Sequence, residues 1–235
     1  MLGDPTRIIG RDDASLWAGR KSGSMFVEPR PPSVGDASHL GSYGFSVVTA
    51  TITGSGTIFS AFWSHATKIA VVTSLRWRWL PLTGPTVPGV LSAYTSYLVF
   101  FTRPFTTDFT NGTVLDLTGN SMKRRASMAS SAFGSIRVYA GAALAGGVGT
   151  TDPHPIGRSL RTGVRANPVA GTEEVMMPNV DDWDGEFRAE RGDHPLIFVQ
   201  NEGLIMQQFV ANPAGNTGIM KIEMDWSEYE TAADY

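Results

Sequence analysis

The sequence predicts an all-β protein: a single jelly-roll-like β-sandwich over residues 41–235, preceded by an extended N-terminal arm over residues 1–40. Three observations carry this expectation. Near the C-terminus, Met220, Ile222, Met224 and Trp226 alternate with Lys221, Glu223, Asp225 and Ser227, the period-2 signature of a strand with one buried and one wet face. Twenty-six Gly and fourteen Pro punctuate the chain, with Thr, Val, Phe and Trp between them and no long run of helix formers. At 235 residues the chain is long enough to close one large core, and all-β domains of this size often fold as one unit.

Residues 1–40 differ from the rest. Their apolar residues come as Ile8-Ile9, Leu16-Trp17 and Met25-Phe26-Val27, after which Arg30-Pro31-Pro32 imposes extended geometry. Too little can be buried here for an independent core, so the segment reads as an arm. Trp17 and Phe26, with Arg30 beside the prolines, are its candidate anchors on a neighbouring subunit.

Strands follow at residues 45–52 and 57–62, the first ended by Gly54-Ser55-Gly56. The longest covers residues 68–80, where Leu75, Trp77 and Trp79 alternate with Ser74, Arg76 and Arg78. The tryptophans are expected in the core and the two arginines on the opposite face, a candidate interaction surface. Residues 97–101 form a strand expected to stop at Arg103-Pro104, and Asn111-Gly112 a tight turn into residues 113–117. Lys123-Arg124-Arg125 is a basic cluster, read chiefly as a solvated face and secondarily as an anion contact. After a strand at residues 136–139, residues 141–149 are small and flexible in composition, and residues 141–190 are expected to form a long loop excursion. Residues 196–199 and 204–206 are apolar on both faces, as strands inside a sandwich are. A turn at residues 212–216 leads into the last strand.

The net charge of -3 conceals a segregation. Residues 1–40 balance to zero, residues 41–170 hold eleven basic and three acidic side chains, and residues 171–235 hold three basic and fourteen acidic. Two outcomes are open: the halves compensate within one sandwich, or basic and acidic faces meet between copies. A nucleic-acid partner is not expected of a net negative chain.

Catalytic patterns are missing. The histidines at 39, 65, 154 and 194 lack zinc-helix spacing, and there is neither a nucleophile elbow nor a phosphate-binding loop. With no cysteine, disulfides and thiolate metal sites are excluded. The Asp181, Asp182 and Asp184 cluster does not follow the EF-hand spacing and reads as a solvated acidic surface. No signal peptide or membrane span is expected. The composition therefore points to a non-enzymatic protein without cofactor or metal.

Scattered short motifs over residues 26–235 resemble a poorly characterised family of tailed-bacteriophage virion proteins. They include residues 26–31, Tyr43 and Arg78-Trp79. They continue through Gly112-Thr113, Leu117-Thr118-Gly119-Asn120, Lys123, Arg125, Ser127-Met128, Ile136-Arg137, Ala143-Leu144, Gly147 and Thr151-Asp152. Residues 201–205 and 224–228 are similar to the closing strands of many virion proteins. The first 25 residues and Arg124 depart from the pattern. The resemblance implies a virion location after assembly in the host cytoplasm, and partners such as the major capsid protein or other virion proteins. The expectation is a capsid decoration or cement protein, homo-oligomeric and trimeric. A tail, baseplate or fibre-associated protein is the alternative. A third reading is a receptor- or carbohydrate-binding module, with Trp63 or Trp183 as an exposed platform.

Overall fold

Two antiparallel sheets share most of the strands, and the connections between them decide which side chains become core. In the computed structural model the described residues are 7–9, 15–17, 39–83, 95–118, 122–124, 127–161, 185–188, 195–209, 211–212 and 217–230. Chain contacts divide the protein into residues 1–36 and residues 37–235. In the first unit, β1 (Arg7–Ile9) and β2 (Ser15–Trp17) pair antiparallel, Ile8 opposite Leu16. The segment expected as an extended arm therefore contains a short antiparallel strand pair. After it, β3 (His39–Val48) pairs with the last strand, His39 opposite Tyr229.

In the second unit, β4 (Gly56–Trp63) crosses from one sheet to β5 (Ile69–Thr83) in the other. The crossover is tight because the His65 imidazole accepts the Lys68 N–H (3.1 Å) and the Trp63 indole donates to the Lys68 carbonyl (3.0 Å). Next come β6 (Thr95–Thr107), β7 (Thr113–Val114) and β8 (Ser135–Val138). These are followed by β9 (Val148–Thr151), β10 (Gly157–Arg161) and β11 (Gly185–Arg188). The chain closes with β12 (Leu196–Phe198), β13 (Glu202–Gln208) and β14 (Thr217–Tyr229). One sheet runs β10-β6-β13-β4-β8-β7 with β9 on β6, and the other β11-β5-β14-β3 with β12 on β5.

The two sheets pack through aromatic and methionine side chains. Phe59, Trp63, Tyr97 and Val99 meet Trp77, Trp79, Ile222, Met224 and Trp226 in one buried cluster. Trp79 lies 5.6 Å from Tyr97 and Phe45 6.1 Å from Phe59, ring centroid to ring centroid, across the sandwich. The alternation expected of β14 is observed, and Trp77 and Trp79 are buried as expected. Gly218 is required here: a Cβ at that position would overlap the Trp79 indole.

Three features depart from the sequence expectation. First, β6 does not stop at Arg103-Pro104. Pro104 falls where the β6–β9 register shifts between Thr102 and Phe105, so the missing N–H interrupts no ladder bond. Second, the 141–190 excursion contributes three strands, β9 and β10 on β6 and β11 on β5. They are recruited by backbone pairing at sheet edges, which leaves no alternation to read. Within the same stretch Leu144 is buried and bridges to Thr57, and the Asn111 side chain clamps the Ala143 carbonyl (2.6 Å) and the Ala145 N–H (2.7 Å). Third, β5 changes face. Ser74 pairs with Asp225 and Val72 with Trp226, leaving Thr73 as a bulge. Ala70 and Val72 point inward before it, Leu75, Trp77 and Trp79 after it. Ile69 and Val71 consequently join Tyr229 in a separate cluster.

Candidate interaction surface

Several charged side chains among the described residues gather on the outer face of the β5–β14–β3 sheet. β14 lies in the middle, and its odd-numbered residues face outward because the even ones fill the core. Register then sets three rows. Glu223 stands between Arg76 on β5 and Ser46 on β3. It forms an ion pair with Arg76 Nη2 (2.7 Å) and another with Lys221 Nζ (2.8 Å), and accepts the Ser46 hydroxyl (3.0 Å). Burial pushes the Glu223 carboxyl up, but the hydrogen bonds from Lys221 and Ser46 and the charges of Lys221 and Arg76 outweigh it, holding it below the ordinary carboxylate range.

One row along, Asp225 lies between Ser74 and Gly44 and pairs with Arg124. Gly44 matters because a Cβ there would collide with the Asp225 carboxylate and the Arg124 guanidinium. The Arg124 segment is anchored by backbone bonds: the Gly44 N–H donates to the Met122 carbonyl (2.9 Å), and the Arg124 N–H to the Ser42 carbonyl (3.1 Å). In the other direction Lys221 sits between Arg78 and Val48, two cations directly across the strand pair. Beyond them Ile219 stands opposite Leu80.

Of the residues singled out from sequence, the structure thus brings Arg76, Arg78 and Arg124 onto one face. Lys123 bridges β3 at Tyr43 beside them. Trp17 lies on β2 in the separate N-terminal unit. Phe26, Arg30, Arg125, Trp183 and the Asp181, Asp182 and Asp184 cluster lie outside the described residues. Trp63 is corrected: it is wholly buried against Phe133 (centroids 5.0 Å apart), so it offers no exposed platform for a glycan. On β14 the acidic third of the sequence meets cations from the basic part within one sandwich, through Arg76–Glu223 and Arg124–Asp225.

Sequence reasoning missed Glu228. It is 1% exposed, facing the core two residues beyond Trp226. Its carboxylate accepts the Ser131 hydroxyl (2.5 Å), the Ala132 N–H (3.0 Å to the nearer oxygen) and the Trp226 indole N–H (3.0 Å). Continuing the period-2 pattern one step past Trp226 would have placed it inward. Burial raises the Glu228 carboxyl above its ordinary value, partly offset by the Ser131, Trp226 and Ala132 hydrogen bonds and the charge of Lys68. Burial, and then the Glu228 charge, raises the Tyr43 phenol, whose hydroxyl donates to the Ala129 carbonyl (3.1 Å).

Two more polar clusters fix connections. Asp108 accepts Arg137 Nε (2.7 Å) and the Ser135 hydroxyl, tying the β6–β7 connection to β8. Arg103 binds Asp152 through two nitrogens (3.1 and 2.6 Å) and lies over the Phe101 ring. Among the described residues no three His, Cys, Asp or Glu side chains gather as a metal site, and no helix is long and apolar enough to cross a membrane.

Compared with protein-family models, curated proteins and solved structures, the chain finds no match.

Proposed function

We propose that this chain is a non-enzymatic structural component of a tailed-phage particle, a decoration or cement protein that stabilises the head through contacts between subunits. The observation that carries this reading is how its polar side chains are used. Glu228 with Ser131, Asp108 with Arg137, Arg103 with Asp152 and Arg124 with Asp225 each join segments 29 to 101 residues apart in sequence. They tie distant segments of the double sheet together, and a separate N-terminal unit precedes it. Cementing a shell asks for such a body with several modest contacts, because linked contacts multiply into avidity. The resemblance of residues 26–235 to virion proteins supports the same assignment. The partners are the major capsid protein and further copies of the chain, three around a symmetry axis.

The test mixes purified heads with the full chain and with a chain lacking residues 1–36, the cut that leaves β3 whole. The full chain is expected to co-sediment with heads and the shortened one to fold but remain in solution. If neither binds heads, the assignment is lost. If both bind equally, the N-terminal unit has no part in it.

A further inference from the structure

Asn111 and Gly112, in the connection between β6 and β7, are each imposed by the fold. The Asn111 amide donates to the Ala143 carbonyl (2.6 Å) and its side-chain oxygen accepts the Ala145 N–H (2.7 Å), so position 111 must both give and take a hydrogen bond. Gly112 has a φ of 83°, and a Cβ there would overlap the Leu144 side chain and the Val138 carbonyl. Together they make an Asn-Gly pair, in which no Cβ shields the side-chain amide from the backbone nitrogen that follows it. The clamp fixes that amide in one orientation. Thr110 tightens the same turn by donating its N–H (3.0 Å) and its hydroxyl (3.3 Å) to the Ala145 carbonyl. Leu144 anchors it, with a buried side chain and an N–H donated to the Thr57 carbonyl (2.8 Å).

We propose that Asn111 is a site of spontaneous deamidation gated by the Ala143–Ala145 turn, and that the reaction releases this turn for good. While the clamp is closed the amide cannot rotate onto the Gly112 nitrogen; local opening of the turn frees it to do so. The Gly112 nitrogen, its proton lost to solvent base, then bonds to the Asn111 side-chain carbon. The bond from that carbon to Nδ2 breaks and ammonia leaves, closing a five-membered imide. Water opens the imide at either carbonyl, giving aspartate or isoaspartate. An ionised aspartate has no hydrogen to donate to Ala143 and sets an oxygen against that carbonyl. Isoaspartate lengthens the backbone by one carbon just before Gly112. Neither product re-forms the clamp, so opening becomes one-way and the β8–β9 connection loosens as the protein ages. This chemistry needs only the purified chain and is independent of the assignment to a particle.

The test incubates the full chain in mildly alkaline buffer, native and in guanidinium chloride, and follows position 111 by peptide mapping that separates asparagine, aspartate and isoaspartate. Conversion is expected in both, at least about tenfold slower in the native protein. Leu144→Ala, which loosens the turn without touching either clamp bond, should bring the native rate towards the unfolded one. Asn111→Asp, the aspartate product made directly, should show quickened amide exchange at Leu144 and Ala145 and unchanged exchange along β13 and β14. Equal rates in the native and unfolded chain, or a Leu144→Ala rate no faster than the parent's, would overturn the gating. An Asn111→Asp turn protected as well as the parent's would overturn the release. No conversion at position 111 in denaturant would remove the site altogether.

Discussion

The carboxylate of Glu228 accepts a hydrogen bond from the indole N–H of Trp226, two residues earlier on the same strand (3.0 Å). The pair shares the inner face of β14, and the same carboxylate holds Ser131 and Ala132 of the connection that leads into β8. One buried charge thus fastens a long connection to the central strand.

Stability should respond to pH through that group. Because its folded value is raised, the native state holds the proton more tightly than the unfolded chain does. The native state is therefore favoured at acid pH, and that advantage is lost as pH rises through the folded value. Glu223, held low, acts in the opposite sense, with stability lost as pH falls. Comparing Glu228→Gln with the parent separates the two: the variant's melting temperature should gain on the parent's as pH rises from about 4 to 8. A constant difference would show that the Glu228 charge carries no penalty.

Gly218→Ala should destabilise the fold by about 1–3 kcal/mol, because the new methyl enters space held by the Trp79 indole and the Leu80 carbonyl. Gly54 has nothing within 4 Å of an added Cβ, so Gly54→Ala is the matched control and should change stability by less than about 0.5 kcal/mol. Urea unfolding of the two variants decides the point; equal effects would mean that Trp79 can be displaced freely.

Asn111→Ala removes both clamps on the Ala143–Ala145 turn. Amide exchange should quicken at Leu144 and Ala145 and stay slow along β13 and β14. Uniform acceleration would show that the clamp supports the whole sheet rather than one connection.

The Arg76–Glu223 pair is partly exposed, so its coupling should be small. A double-mutant cycle with Arg76→Ala and Glu223→Ala should return about 0.2–1 kcal/mol, falling in high salt. Zero coupling in low salt would remove the pair from the account of this face.

What could be read from sequence was what local pattern encodes. Met220 to Trp226 and Leu75 to Trp79 alternate, and both alternations survive because one face of each strand is core. Asn111-Gly112 signals its turn through Gly112, whose φ of 83° suits glycine. What was hidden depends on distant partners. The bulge at Thr73 arises from pairing with β14, and the apolar run before it looks the same on either face. Val148 to Thr151 is recruited by the edge of β6 through backbone bonds that any side chain permits. On the candidate surface the residue types of Arg76 and Arg78 were visible, but their company was not: Arg124 reaches Asp225 across 101 residues.

Cryo-electron microscopy of phage particles assembled in the presence of this protein tests the central assignment most directly. The account predicts density for the double sheet repeated over the head lattice according to the capsid's symmetry. Copies confined to the tail, or particles without the protein, would contradict it.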